Sequence, residues 1–229
     1  MNPQPSIIKE RRTSVDVVFE RLHERISTLR LRPGDKISEA EVAAEFGVSR
    51  QPVRDAFSRL ANQDLLLIRP QRATVVRRFS LREIEKSRFV RAAIEAEVLR
   101  RAARGFGAGD DERLDAALAE QARAIEARDH VRFGQLDYAF HGELCEIAGT
   151  PFAFEVIAAE KAKVDRLCLL SLEKEHRMPQ LLEDHRGIRD ALAAGDEEGA
   201  VRIGMLHLSR LDSTVEAIAA TNANYFEPD

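Results

Sequence analysis

The long C-terminal part of the chain constrains the fold most, because it combines helical periodicity with a lack of strand-like runs. Between residues 81 and 220, apolar side chains recur at intervals of three and four in alanine-rich sequence. That spacing places them on one face of a helix. Breaks such as GFGAGD, AGTP and EHRMP predict separate helices near 81–104, 111–128, 131–148, 151–174, 178–194 and 197–220. We therefore predict a mostly α chain with an all-helical bundle over residues 84–222.

The N-terminal part has a different pattern, with three short helical segments followed by a hairpin. Pro33-Gly34 breaks the first helical repeat, and Gly47 ends the second. The predicted helices run from Val15 to Leu29, from a cap at Ser38 to Phe46, and from a cap at Ser49 to about Gln63, and the predicted strands are Leu65–Ile68 and Thr74–Val76. This order predicts a winged helix-turn-helix domain over residues 13–78, between a flexible arm (1–12) and a linker (79–83).

The formal charge of −4 is distributed unevenly along the chain. Residues 1–79 contain 15 Lys and Arg against 10 Asp and Glu, a net +5, whereas residues 80–229 contain 20 against 29, a net −9. This asymmetry suggests two domains with different partners. Because no apolar run reaches about 20 residues and the start lacks a signal-peptide core, we expect a cytoplasmic location. Cys145 and Cys168 could pair, but buried reduced thiols fit that location better.

The third predicted helix, which begins SRQPVRDAFSRL, has the features of a DNA-recognition helix. Its apolar residues share one face, so Arg50, Gln51, Arg54 and Ser58 lie outside, mostly towards the N-terminal end that approaches base edges. Arginine can pair bidentately with guanine, and glutamine with adenine. Ser49 and the helix N-terminus can hold a backbone phosphate. The alternative is a solvated charged face on an ordinary helical domain.

The sequence PGDKISEAEVAAEFGVSRQPVRDAFSRLANQDLLLIRPQRATVV resembles the DNA-binding domain of GntR-type bacterial transcription regulators over Val15–Val76. There are two departures from that family's pattern. Ala40 stands where many members have an arginine, and Ala73 replaces the usual glycine of the wing. The resemblance implies DNA contacts by Arg50, Gln51 and Arg54, with Ser49 and Arg72 in support.

An aspartate and a histidine lie four residues apart in the otherwise apolar sequence LDYAFHGEL. In a helix this spacing puts Asp137 and His141 on one face, which the neighbouring apolar residues indicate is buried. His185 and His207 lie on the apolar faces of the last two predicted helices. One carboxylate and three imidazoles form a partial coordination set for zinc, nickel or manganese. We favour this over three separately satisfied core histidines, with zinc as the expected metal.

The C-terminal bundle resembles the FCD-type ligand domain of the FadR-like branch of GntR regulators. The segments that carry this resemblance are RFVRAAIEAEVLRRAA, LDYAFHGELCEIAGTP and EDHRGIRDALAAGDEEGAVRIGMLHL. It implies that the metal ligands are Asp137, His141, His185 and His207. Arg91 lies on an inward stripe of the first bundle helix, where the family commonly places an effector-binding arginine, although a salt bridge to Glu95 explains it equally well. Arg166 is a second effector-binding candidate.

Together these inferences predict a homodimeric bacterial transcription regulator, expected to be a repressor of a metabolic operon and not an enzyme. Its partners would be a palindromic double-stranded DNA operator and a small carboxylate or sugar-acid effector at the metal site. Two alternatives stay open. One is a helical-bundle metallohydrolase with an accessory domain. The other is a pure metal sensor whose DNA affinity responds to metal alone.

Overall fold

The computed structural model describes residues 12–175 and 177–228, which divide into two compact units between Arg78 and Phe79. The N-terminal unit contains helices α1 (Ser14–Ser27), α2 (Glu39–Phe46) and α3 (Arg50–Asn62) and strands β1 (Lys36–Ile37), β2 (Leu66–Leu67) and β3 (Thr74–Val76). The strands form one antiparallel sheet in the order β1-β3-β2. The predicted winged helix-turn-helix fold is therefore confirmed. The predicted arm lies almost wholly outside the described residues.

The ends of the N-terminal helices follow from local sequence chemistry. A capping box starts α1, because the Thr13 side chain accepts from the Asp16 amide and the Asp16 carboxylate accepts from Thr13. Gly47 ends α2 with a φ of 64°, a left-handed conformation that glycine adopts without strain. The first helix was predicted to run through Leu29, but α1 ends at Ser27. Leu29 has a φ of 58°, which is not helical.

One core holds the N-terminal unit together and leaves one face of α3 exposed. Val18, Leu22 and Ile26 of α1 are fully buried against the apolar face of α3, which includes Val53 and Phe57. The sheet adds Ile37, Leu66 and Val76 to the same core. Strand β1 was not predicted, because two residues carry too little pattern to be recognised without their partner β3.

The C-terminal unit is an all-helical bundle, as predicted. Its helices are α4 (Leu81–Gly105), α5 (Asp110–Glu126), α6 (His130–Ile147), α7 (Pro151–Glu175), α8 (Met178–Ala193) and α9 (Glu197–Thr221), followed by a 3-10 turn at Ala223–Tyr225. Each helix begins and ends within two residues of its predicted bounds. Its core includes Phe140, Leu144, Ile157 and Leu192, which are at most 3% exposed. No helix among the described residues is long and apolar enough to cross a membrane.

The segment predicted as a linker, residues 79–83, is partly structured. Phe79 is buried, its amide donates to the Tyr225 carbonyl (2.8 Å), and its carbonyl accepts from the Glu227 amide (2.7 Å). The rings of Phe79 and Phe226 pack with centroids 5.5 Å apart. We call this pairing the C-terminal clasp. Helix α4 begins two residues later at Leu81, with Ser80 as its cap.

Candidate metal centre and nucleic-acid interface

Helices α6, α8 and α9 bring Asp137, His141, His185 and His207 together inside the C-terminal unit. All four residues are buried, and one potential ligand atom from each lies within 4.8 Å of the others. Asp137 Oδ1 lies 3.5 Å from His185 Nε2 and 3.9 Å from His207 Nε2. We call these residues the four-residue cluster. The structure thus places the four predicted metal-ligand candidates at one point.

Residues on other helices hold the ring nitrogens of two cluster histidines that face away from this point. Glu95 Oε2 of α4 lies 2.9 Å from His141 Nδ1, and Gln121 Oε1 of α5 lies 2.8 Å from His185 Nδ1. Both oxygens accept a hydrogen bond, so each imidazole carries its proton on Nδ1. The Nε2 atoms of His141 and His185 are buried without a hydrogen-bond partner. Their lone pairs are therefore available to a metal ion.

His207 has a comparable neighbour on α8. Its Nδ1 lies 3.8 Å from Asp184 Oδ2, which is within ion-pair range but too long for a hydrogen bond. Asp184 is itself held by Arg210, whose Nε and Nη2 each donate to its carboxylate at 3.0 Å. The Nδ1 atom of His207 thus lies near a carboxylate, as the Nδ1 atom of His141 lies near Glu95.

Burial and neighbouring charge keep Asp137, His185 and His207 in the protonation state that metal binding requires. Burial lowers the pKa of His185 well below its usual value, and burial with the nearby His141 lowers the pKa of His207 to about 4. Burial alone would raise the pKa of Asp137, but Lys161 and the three imidazoles outweigh it and hold that pKa far below its usual value. At neutral pH the cluster therefore offers the Asp137 carboxylate and the neutral imidazoles of His185 and His207.

The cluster fits a divalent transition metal by three criteria. It supplies one oxygen and three nitrogen donors, which suits zinc and its neighbours. Two donor nitrogens are buried without partners, an arrangement that costs free energy unless something binds them. The opposite ring nitrogens are oriented by acceptors, as in established metal sites. The buried His/Asp cluster could therefore hold a metal ion.

The two arginines predicted to bind an effector have different surroundings. Arg91 is buried, and its Nε donates to Glu95 Oε1 at 2.8 Å. This is the salt bridge that the sequence left open as an alternative. The other oxygen of the same carboxylate contacts His141. Arg166 is also buried, and its guanidinium lies over the Phe79 ring at 4.6 Å, against the C-terminal clasp.

The predicted DNA-contacting residues lie on the exposed surface of the N-terminal unit. Arg50, Gln51 and Arg54 are exposed on α3. Gln51 donates to Asp55 of the same helix at 2.9 Å, and Arg54 donates to Glu39 of α2 at 3.1 and 3.4 Å. Long polar side chains are therefore held by neighbours on the outer face of the helix.

The N-terminus of α3 and the wing supply the remaining two candidates. Ser49 takes the N-cap position, but the expected cap is wrong in one respect, because its side chain makes no capping hydrogen bond. The extended backbone of Ser49 marks the start of α3, and the first amides of the helix are left for another acceptor. Arg72 is exposed in the turn between β2 and β3.

Two family models match this chain. The model of the gntR family of bacterial regulatory proteins matches residues 15–76, and the FCD domain model matches residues 87–210. The chain belongs to the GntR family. The matched ranges coincide with the winged helix-turn-helix unit and with the helical bundle that contains the four-residue cluster.

Curated relatives and solved structures agree with this assignment. The GntR-family chain is 34% identical over 229 residues to the HTH-type transcriptional regulator YdfH of Escherichia coli O6:H1, covering 100% of this chain and 97% of the relative. It is 36% identical to the HTH-type transcriptional repressor RspR of E. coli K12, covering 87% of each. The structure of E. coli McbR/YncC, at 20% identity, has the same fold with a TM-score of 0.69 over 90% of this chain and 99% of that one.

Membership of the GntR family establishes the general role of this chain as a DNA-binding transcription regulator. Regulators of this family bind DNA operators and typically form dimers. They are not enzymes.

Several residues around the cluster were missed at the sequence level or given no role there. Gln121 lies on the buried stripe Leu114–Leu118–Gln121, so a polar residue at a core position was its signal. Asp184 directly precedes His185 in the sequence. Its role was missed because the histidine that it contacts, His207, is on another helix. Lys161 of α7, whose Nζ lies 3.4 Å from Asp137 Oδ2, had no local signal because its partner is on α6.

Proposed function

We propose that this GntR regulator is a homodimeric repressor of a metabolic operon that responds to a small organic acid at a metal ion in the four-residue cluster. One observation carries this proposal: the buried Nε2 atoms of His141 and His185 have no hydrogen-bond partner and lie beside Asp137. A buried nitrogen without a partner needs an explanation, and a metal ion shared with Asp137 would supply one here. Zinc fits best, and nickel or manganese would accept the same donors.

The effector would occupy the coordination positions that the protein leaves open. The protein supplies at most four donor atoms. A metal ion that expands its coordination number could therefore also bind a carboxylate or a hydroxycarboxylate. Arg91 supports an acidic ligand, because its buried guanidinium lies close to the cluster. Glu95 contacts both Arg91 and the cluster residue His141. Sugar acids belong to the same chemical class. Arg166 is the weaker candidate, since its guanidinium lies over the Phe79 ring.

Operator binding would rest on the exposed face of α3 and on the wing. Arg50, Gln51 and Arg54 carry the donors that read bases in the major groove. Ser49 and the uncapped first amides of α3 would hold a phosphate, and Arg72 would contact the backbone from the wing. A two-fold dimer would present two such helices to a palindromic operator.

Metal analysis of the purified protein tests the proposal. Wild-type protein loaded with zinc and then desalted should retain about one zinc per chain, and His185→Ala should retain much less. His130→Ala, at the start of α6 and outside the cluster, is the control and should load like wild type. Equal zinc retention by wild type and His185→Ala would contradict a metal site at the cluster.

The effector part of the proposal needs a second measurement. A thermal-shift screen of small organic acids on zinc-loaded protein should find acids that raise the melting temperature. The same acids should then change operator affinity. If operator affinity responds to zinc but to no acid in the panel, the protein is a metal sensor.

A further inference from the structure

Lys161 on α7 is a buried cation with a specific partner. It is 6% exposed, and its Nζ lies 3.4 Å from Asp137 Oδ2. The same Nζ lies 4.0 Å from the centroid of the Tyr138 ring, which supports an ammonium by a cation–π contact. Lysine is seldom buried this deeply unless it is paired. Lys163, two residues further along α7 and on its solvent side, pairs instead with Glu160 at 2.7 Å.

The two oxygens of Asp137 face different partners. Oδ1 points to the ring nitrogens of His185 and His207, where a metal ion would bind. Oδ2 faces the Lys161 ammonium. An aspartate held in this way donates one oxygen to a metal, and its charge is already offset before any metal arrives.

The buried charges that the structure describes next to the cluster pair with one another without a metal ion. Among the described residues, each buried carboxylate near the cluster has its own cation. The pairs are Glu95 with Arg91, Asp184 with Arg210, and Asp137 with Lys161. A divalent ion therefore adds two positive charges to a balanced region and comes close to an ammonium. Like charges repel strongly in such a poorly solvated interior.

We propose that the Lys161 ammonium is a built-in counter-ion that competes with the metal ion for Asp137. It weakens metal binding and stabilises the metal-free domain. This inference rests on the proposed metal site and adds a residue that sets how readily the site loads and empties. The flexible side chain of lysine allows the ammonium to withdraw when the metal takes the carboxylate, and the Tyr138 ring remains beside it.

Replacing Lys161 by a neutral side chain of similar length should have two opposite effects. In Lys161→Met, zinc affinity should rise by about ten- to hundredfold, the range typical of changes to residues that contact metal ligands. The melting temperature of the metal-free protein should fall, because Asp137 becomes a buried charge without its cation. A purely structural role for Lys161 predicts instead that both quantities fall.

The experiment measures zinc affinity by competition with a chelator, and melting temperature in EDTA, on full-length protein. Lys163→Met is the matched control and should leave both quantities unchanged. Lys161→Arg keeps the charge and should bind zinc close to the wild-type level. If Lys161→Met is unfolded in EDTA but folds with zinc, that also supports the proposal. Lys161→Gln provides a second neutral variant.

Two results would overturn the inference, and they are distinguishable from each other. Zinc affinity that is unchanged or weaker in both neutral variants, with wild type binding zinc, removes Lys161 as a competitor but keeps the metal site. Failure of both wild type and the neutral variants to bind zinc removes the metal site itself.

Discussion

At the scale of single residues, the orientation of each imidazole decides whether the cluster can bind metal. An imidazole presents one lone pair, and the hydrogen bond at the other nitrogen decides where it points. Gln121 accepts a hydrogen bond from His185 Nδ1, so the Nε2 atom of His185 faces Asp137. The fully buried Phe140 stacks on the same ring with centroids 4.2 Å apart, which restricts its rotation. His185 is therefore the most tightly oriented of the three histidines.

Gln121→Ala should weaken zinc binding without removing a ligand. Loss of the acceptor frees the His185 ring and its tautomer, so we expect a loss of about ten- to hundredfold in zinc affinity. Chelator competition would measure this. Gln135→Ala, an exposed glutamine on α6, is the control and should bind zinc like wild type. Equal affinity in Gln121→Ala would mean that Gln121 does not orient the ligand.

The stability of the metal-free protein should depend on pH through His207. Its pKa is lowered to about 4 in the folded state and is near 6.5 in an unfolded chain, so the unfolded state binds more protons between these values. The contribution of His207 is therefore fully present above pH 6.5 and is lost as pH falls towards 4. From this group alone we expect unfolding in EDTA to cost about 2 kcal/mol less at pH 5 than at pH 7.

Urea denaturation in EDTA at the two pH values tests this expectation. His207→Gln, which cannot titrate, should show a smaller difference in unfolding free energy than wild type. An equal pH dependence in wild type and His207→Gln would show that His207 does not carry it.

At the scale of elements, helix α3 offers its reading surface because α1 and α2 hold its other faces. Its apolar face packs on α1, and Glu39 of α2 holds Arg54 on the outer side. Arg54 is therefore partly ordered before it meets DNA, which lowers the entropy lost on binding.

Arg50→Ala and Arg54→Ala should each weaken specific operator binding by about 1–3 kcal/mol if the arginine reads a base. Fluorescence anisotropy at fixed salt, with operator and scrambled DNA, would measure it. Arg21→Ala, an exposed arginine on α1, is the control. If both α3 variants retain wild-type operator affinity, α3 is not the recognition helix.

The C-terminal clasp is also a property of elements, because it joins the two ends of the helical unit. Phe226 is 7% exposed, whereas Phe152 on α7 is 69% exposed. Phe226→Ala should therefore destabilise the C-terminal unit by about 3–5 kcal/mol, a typical cost of removing a buried aromatic ring. Phe152→Ala should change the unfolding free energy little. Similar unfolding free energies for both variants would show that the clasp adds no stability.

Sequence could predict the elements better than the contacts between them. The bundle helices were predictable because apolar spacing is local, and Asp137 and His141 share one such helix. Strand β1 and the clasp were not, since each depends on a partner far along the chain. Gln121 and Lys161 were missed for the same reason, because which helix faces meet is decided by packing.

At the scale of the whole molecule, the regulator combines a DNA-binding unit with a helical unit that we propose binds the effector. An effector can change operator binding only if it binds the DNA-competent and DNA-incompetent states with different affinity. In this account the metal ion at the four-residue cluster is the common ligand through which an organic acid achieves that difference. The N-terminal unit has its own core, so it should bind DNA whether or not metal is present.

The most direct test is the operator dissociation constant of one preparation, measured with and without the most stabilising organic acid. The measurement is made on zinc-loaded protein, after zinc removal, and after zinc is restored. We predict that the acid changes operator affinity in the loaded protein, has no effect after removal, and regains its effect on reloading. Without the acid, the operator dissociation constant should differ by no more than a few-fold among the loaded, zinc-free and reloaded protein. An acid response that survives complete removal of the metal would contradict the account.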